Sequence, residues 1–201
     1  GLLIPLAGLM RVCKWFWPHV RADSLWRKKG LPPVLLVHGS GANDFQWLTV
    51  MAFYLSPHFD MYTIELHKNP AASISDYARQ VADEIREIHQ LTQTPVTLIG
   101  ASMGGLVATA AAIEMPGGVK KVFTIGSPFR GAPALNFIAL QPQRYTDMRP
   151  GSVFLTELHR KLNQTQIEVL CFGGRADVMV PDETSYPPDI PHVKHITHPY
   201  G

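Results

Sequence analysis

From residue 34 onward, short apolar runs alternate with longer stretches of mixed polarity. Val34-Leu35-Leu36-Val37 contains no polar member, which suits a strand covered on both faces, as in a parallel sheet. Residues 59–66 (FDMYTIEL), 96–99 (VTLI), 119–125 (VKKVFTI), 167–172 and 192–197 read as five further strands. Between them the period lengthens. In residues 75–91 Tyr77, Val81, Ile85 and Ile88 recur at helical spacing, with Ser75 or Asp76 as the expected cap. Residues 45–55 and the alanine-rich stretch 106–115, stopped by Pro116-Gly117-Gly118, also read as helices. Residues 151–162 form another, capped by Ser152. Residues 128–150 keep no steady period and read as an excursion over the sheet edge. Strands alternating with helices predict an α/β domain whose sheet is mostly parallel, with about six strands flanked by helices.

Composition narrows this picture. A chain of 201 residues with 46% hydrophobic and 17% charged residues is a globular domain with a sizeable core. A formal net charge of +2 and no long basic run argue against nucleic acid as a partner. Cys13 and Cys171 lie far apart and read as free thiols. No stretch reaches the roughly 18 apolar residues of a membrane span. The division expected is an apolar and basic N-terminal segment, 1–30, followed by one domain, 31–201. The chain starts at Gly1 rather than Met and so reads as processed or truncated. Residues 2–17 (LLIPLAGLMRVCKWFW) admit two readings. One is a helix packed on the domain. The other is the remnant of a membrane anchor or an interfacial helix, with Trp15 and Trp17 at headgroup level and Arg11 and Lys14 among them. The second reading favours a membrane-associated or secreted protein over a cytoplasmic one. Oligomeric state is not legible.

The chemistry centres on Gly100-Ala101-Ser102-Met103-Gly104-Gly105, between an apolar strand and a small-residue helix. This is G-x-S-x-G in the context it needs. A serine on a strained strand-to-helix turn has its hydroxyl aimed out of the sheet, and small residues on both sides avoid collision with neighbouring backbone. The first turn of the helix offers unpaired N–H groups at the positive end of the helix dipole. A serine hydroxyl needs a base to take its proton, and the base needs an orienting partner. Asp177, in G-G-R-A-D-V-M-V-P just past the fifth strand, is the expected acid; Asp182 and Asp189 are its nearest competitors. For the base, His192, His195 and His198 all follow. His198 lies nearest the strand's C-terminal end and is the candidate within the chain; the other candidate is a histidine beyond Gly201. Three histidines at this spacing on a strand do not converge on a metal, and no metal or organic cofactor is expected. The oxyanion donors are the N–H of Met103 and that of Ser40, in the loop His38-Gly39-Ser40-Gly41 after the first strand. Gly39, Asn43 and Phe129 are the expected pocket residues, and Trp47 is either pocket or core. Leu135, Phe137, Ile138 and Leu140 could join Phe129 in a small apolar rim for an acyl chain, or be packed core.

V-L-L-V-H-G-S-G, T-L-I-G-A-S-M-G-G-L-V-A, F-T-I-G-S-P-F-R-G-A-P and M-R-P-G-S-V-F-L-T-E-L together resemble the bacterial lipase and esterase branch of the α/β hydrolase superfamily. The resemblance covers roughly residues 31–198. It implies a compact α/β hydrolase fold with no room for a large inserted lid. It also implies a serine hydrolase cleaving carboxylic esters, acting on an acyl ester or lipid. Carried over by motif, Ser102 is the nucleophile, Asp177 the acid, and Ser40 and Met103 the oxyanion donors. Two departures stand out. Ala101 replaces the histidine that many members carry before the serine, and the terminal histidine loop with its closing helix is absent or displaced. An acyltransferase or thioesterase shares the acyl half-reaction and is an alternative. So is a non-catalytic binding protein that kept the fold.

Overall fold

The computed structural model describes residues 23, 26–47, 54–67, 69, 71–137 and 142–199. Residues 2–17, Cys13, Ile138, Leu140 and most of the helix expected over 45–55 lie outside the described residues, as does the side chain of Phe137. Six strands form one sheet: β1 (Pro33–Val37), β2 (Asp60–Ile64), β3 (Val96–Ala101), β4 (Val119–Ile125), β5 (Val169–Gly174) and β6 (Val193–His198). Their order is β2-β1-β3-β4-β5-β6, and every neighbouring pair is parallel. The expected α/β hydrolase architecture is therefore present. All strand C-termini lie along one edge, where β3 has β1 on one side and β4 on the other.

Each helix follows from its apolar positions. In α1 (Ile74–Thr92), Tyr77, Val81, Ile85 and Ile88 are buried. Its cap is Ser73, not Ser75 or Asp76: the Ser73 hydroxyl accepts from the Asp76 N–H at 3.1 Å, and the Asp76 carboxylate accepts from the Ser73 N–H at 2.9 Å. This reciprocal pair starts the helix one residue earlier than its apolar spacing suggests. These bonds also hold the Asp76 carboxyl below the usual carboxylate range.

α2 (Met103–Glu114) is buried nearly all round, which suits its alanine and glycine content: it lies against the sheet with other helices around it. It begins at Met103, three residues before the expected start. The excursion 128–150 contains a 3-10 turn, Pro133–Phe137, and a short helix α3 (Gln143–Asp147). α4 (Val153–Asn163) is capped by Ser152 as expected, its hydroxyl accepting from the Leu155 N–H at 3.2 Å.

The main core lies on one face of the sheet, where Leu35, Val37, Leu98, Val122, Val169 and Cys171 pack with α1, α2 and α4. On the opposite face, Val34, Leu36, Trp47 and Met61 form a smaller cluster with Trp26 and Phe59 against it. Trp47 is thus a core residue. Beyond that cluster the same face carries an apolar groove of about 620 Å³. It runs from Val34 and Phe59 past Ile99, Phe123 and Phe172 to Gly126, Asp177 and His198 at the C-terminal edge.

Candidate active site

Ser102 sits between β3 and α2 with φ 52° and ψ −125°, a left-handed conformation that L-residues avoid. Its backbone N–H donates to the Ile125 carbonyl at 2.8 Å, pinning the turn to β4. Serine at the start of a helix ordinarily turns its hydroxyl back onto the first amides. Here the side chain makes no such bond and the residue is exposed. The turn is compact because glycine makes it so. A Cβ on Gly100 would collide with the backbone of Gly104 and Gly105, and one on Gly104 would collide with the carbonyls of Val37 and His38. The two glycines let the helix start seat directly on the ends of β1 and β3.

The loop after β1 lies against this turn. A Cβ placed on Gly39 would stand 3.2 Å from Cβ of Ser102. His38, buried, fixes the loop's first peptide. Its Nε2 accepts from the Leu66 N–H at 3.1 Å, so the proton belongs on Nδ1, which donates to the Gly39 carbonyl at 2.8 Å. In a trans peptide C=O and N–H point opposite ways. Holding the Gly39 carbonyl therefore also sets the direction of the Ser40 N–H. The Ser40 hydroxyl donates to that of Tyr145, at 2.9 Å, on α3. Met103 is buried at the first position of α2, where the backbone N–H has no acceptor within the helix.

Asp177 follows β5. Its Oδ1 accepts from the N–H groups of Met179 and Val180, both at 2.9 Å. Its Oδ2 faces Gly126, at 3.1 Å from where a Cβ there would lie. Gly126, with φ 54°, directly follows β4, the strand beside the Ser102 turn. One carboxylate oxygen is thus held by backbone while the other is presented over the strand between β3 and β5. Asp182, its competitor, is committed elsewhere. It pairs with His195 Nε2 at 3.0 Å and accepts from the Thr197 hydroxyl at 2.8 Å, fastening the loop to β6. Ser185 Oγ lies 3.3 Å from the same His195 Nε2, so serine and carboxylate share one ring nitrogen and form no Ser-His-Asp relay. That hydroxyl is fully buried and donates to the Asp182 carbonyl, so it is not presented to a substrate.

His198 ends β6, pairs in register with Gly174, and lines the groove with Asp177. At about 4.8 Å per strand, β6 stands about 14 Å from β3, so the end of β6 is near the Asp177 loop and not over Ser102. His195 points to the other face, as strand alternation requires. His192 lies just before β6, at its N-terminal end.

Two expected pocket residues have other duties. Phe129 is fully buried in the main core, so it fills the interior instead of lining an open wall, and Leu135 packs with it. Asn43 is buried and its Oδ1 accepts from the Phe45 N–H at 3.2 Å, closing a turn. Gly39 alone of the three lies against the nucleophile turn. His38 and Tyr145 were missed by motif reading. His38 stands in H-G-S-G and could have been found there as a loop anchor; Tyr145, 105 residues from Ser40, carries no sequence signal for that contact. Among the described residues no cluster of three or more metal-ligating side chains occurs, and no helix is long and apolar enough to cross a membrane.

Comparison with known proteins agrees with this architecture. The (E)-2-((N-methylformamido)methylene)succinate hydrolase of Acinetobacter baylyi is 28% identical over 141 residues, covering 68% of this chain and 52% of that protein. A pimeloyl-(acyl-carrier protein) methyl ester esterase of Vibrio vulnificus is 32% identical over 129 residues, 60% of this chain and 47% of that protein. The chain spans about half the length of these curated relatives. Among solved structures, the mature form of a Bacillus licheniformis lipase superposes with a TM-score of 0.65 at 18% identity, covering 85% of this chain and 84% of the lipase. The model of the alpha/beta hydrolase family matches residues 34–193, and the chain belongs to that family.

Proposed function

We propose that this protein is a serine carboxylesterase of lipase type, hydrolysing esters of apolar acyl groups through an acyl-enzyme. The observation that carries this reading is the Ser102 turn: a left-handed serine, exposed, its hydroxyl not spent on capping, at the mouth of a helix and against a glycine loop. A fold has little reason to keep a serine in that conformation except to present the hydroxyl.

In the proposed reaction the Ser102 Oγ attacks the ester carbonyl carbon as its proton passes to an imidazole. The carbonyl oxygen becomes an oxyanion, held by the N–H groups of Met103 and Ser40. Asp177 Oδ2 orients that imidazole and stabilises its positive charge. The C–O bond to the alcohol breaks, the imidazolium protonates the departing alkoxide, and an acyl-serine remains. A water molecule, deprotonated by the same imidazole, then releases the acid and restores Ser102. We assign the imidazole to His198. The assignment rests on its place with Asp177 along the groove at the C-terminal edge of the sheet.

The apolar character of the acyl group is supported by the groove of Ile99, Phe123, Ile125 and Phe172 that opens beside Gly126. A relative named as a methyl ester esterase supports the ester chemistry, and one named as a hydrolase supports hydrolysis more generally. The test is hydrolysis of p-nitrophenyl esters from acetate to decanoate. Turnover abolished by Ser102→Ala supports the reading, and equal turnover in that variant overturns it. His198→Ala separates the base: loss of turnover assigns it to His198, whereas retention gives the role to a different histidine.

A further inference from the structure

The loop that carries Ser40 has glycine on both sides, Gly39 and Gly41, the latter at φ 73°. Such a loop has many conformations open to it, yet an oxyanion donor is useful only when fixed before the charge develops. Beside the Ala42 N–H bond to the Gly39 carbonyl, three side chains restrain it. The His38 ring holds the Gly39 carbonyl, and the Gly39 N–H donates to Gln46 Oε1 at 3.4 Å. The third comes from across the molecule: the Ser40 hydroxyl donates to the Tyr145 hydroxyl at 2.9 Å.

Tyr145 is itself well held. Its ring packs against the main core, and the Arg144 guanidinium lies 5.0 Å from its centre. The short helix beneath it is tied down through Asp147. That carboxylate accepts from the Ile74 N–H at 2.8 Å and from the Gln143 amide at 2.9 Å, while the Ser152 hydroxyl donates to the Asp147 carbonyl. Tyr145 is therefore a fixed post, not a flexible flap. The excursion 128–150, expected to supply an apolar rim or packed core, reaches the Ser40 loop through the Tyr145 hydroxyl.

We infer that Tyr145 is a positioning residue for the oxyanion hole. It anchors the Ser40 side chain so that the Ser40 N–H stays aimed beside Ser102. The inference rests on the esterase reading for its kinetic consequence. Its structural half, that the Tyr145 hydroxyl orders residues 38–42, stands apart from that reading.

The test is Tyr145→Phe, which keeps the packed ring and removes only the acceptor, together with Ser40→Ala and the double variant. An oxyanion donor is worth about 10²–10³ in rate, and loosening one through a lost neutral hydrogen bond should cost about 5- to 10-fold. Tyr145→Phe is expected to lower kcat by about that factor with KM within about twofold. Because both variants break the same bond, the double variant should fall no further than either single one. Amide exchange of residues 38–42, read on intact protein, should speed up in Tyr145→Phe. If the wild type shows no Ser102-dependent hydrolysis, the esterase reading has failed while the exchange measurement still decides the anchoring. Unchanged exchange overturns the inference, as does wild-type kcat in Tyr145→Phe or multiplicative losses in the double variant.

Discussion

Replacing Ser102 by glycine should make the protein more stable than replacing it by alanine, the reverse of the ordinary order. Both substitutions remove the hydroxyl, so the comparison isolates the Cβ. At an ordinary position alanine is favoured over glycine by about 0.5–1 kcal/mol, because glycine loses more backbone freedom on folding. At φ 52° and ψ −125° the Cβ instead holds the backbone in a sparsely populated region, at a cost of about 1–3 kcal/mol. Taking about 2 kcal/mol for the strain and about 1 for the entropy, Ser102→Gly should exceed Ser102→Ala by about 1 kcal/mol. In a domain of this size that is about 2–4 °C in Tm. Urea titration of both variants, with m unchanged, gives the difference directly. If Ser102→Ala equals or exceeds Ser102→Gly, the turn is not strained in solution, and the principal support for an activated serine is lost.

Four further outcomes are expected. Ser73→Ala should cost about 1 kcal/mol by removing the cap of α1. Because Asp76 is held below its unfolded value of 3.8, its contribution is present above that pH and fades as the pH falls through the lower folded value. Urea titrations should show this acid dependence flattened in the variant, and an unaltered acid limb would refute the box. The Cys171 thiol, fully buried and pushed by that burial to about 11, should resist alkylation at pH 8 until urea unfolds the chain, as read by peptide mapping; rapid native labelling would place it at the surface. Asp177→Asn should reduce ester turnover by about 10³–10⁴, the order seen when a relay carboxylate is neutralised. Asp182→Asn should leave turnover near wild type while lowering stability by about 1–2 kcal/mol through its two weakened contacts to β6. The opposite assignment of these two losses would exchange the roles of the two aspartates.

The parallel sheet was legible because its strands announce themselves. Val34-Leu35-Leu36-Val37 is apolar throughout since both faces of β1 are covered, and residues 119–125 match β4 residue for residue. Helix starts were harder, because a cap is a side-chain bond and not a hydrophobic period. Ser73 precedes the apolar stripe, so spacing alone pointed to Ser75 or Asp76. The serine turn was readable from local sequence, since collisions at Gly100 and Gly104 arise from neighbours in chain and sheet. The pocket was less so. Phe129 looks like a rim residue in sequence and is interior in space, while Asn43 spends its side chain on its own turn. The Tyr145 contact joins residues 105 apart and depends on where the excursion folds back, which no local pattern encodes.

The central claim is an activated serine, and labelling with a fluorophosphonate tests it most directly. The protein and its Ser102→Ala variant, both shown to be folded, are treated with the probe, and the adduct is mapped by mass spectrometry. A single adduct on Ser102, absent from the variant, is the predicted result and requires a working base beside the hydroxyl. A folded protein that takes no label, or one labelled equally in the variant, would contradict the account.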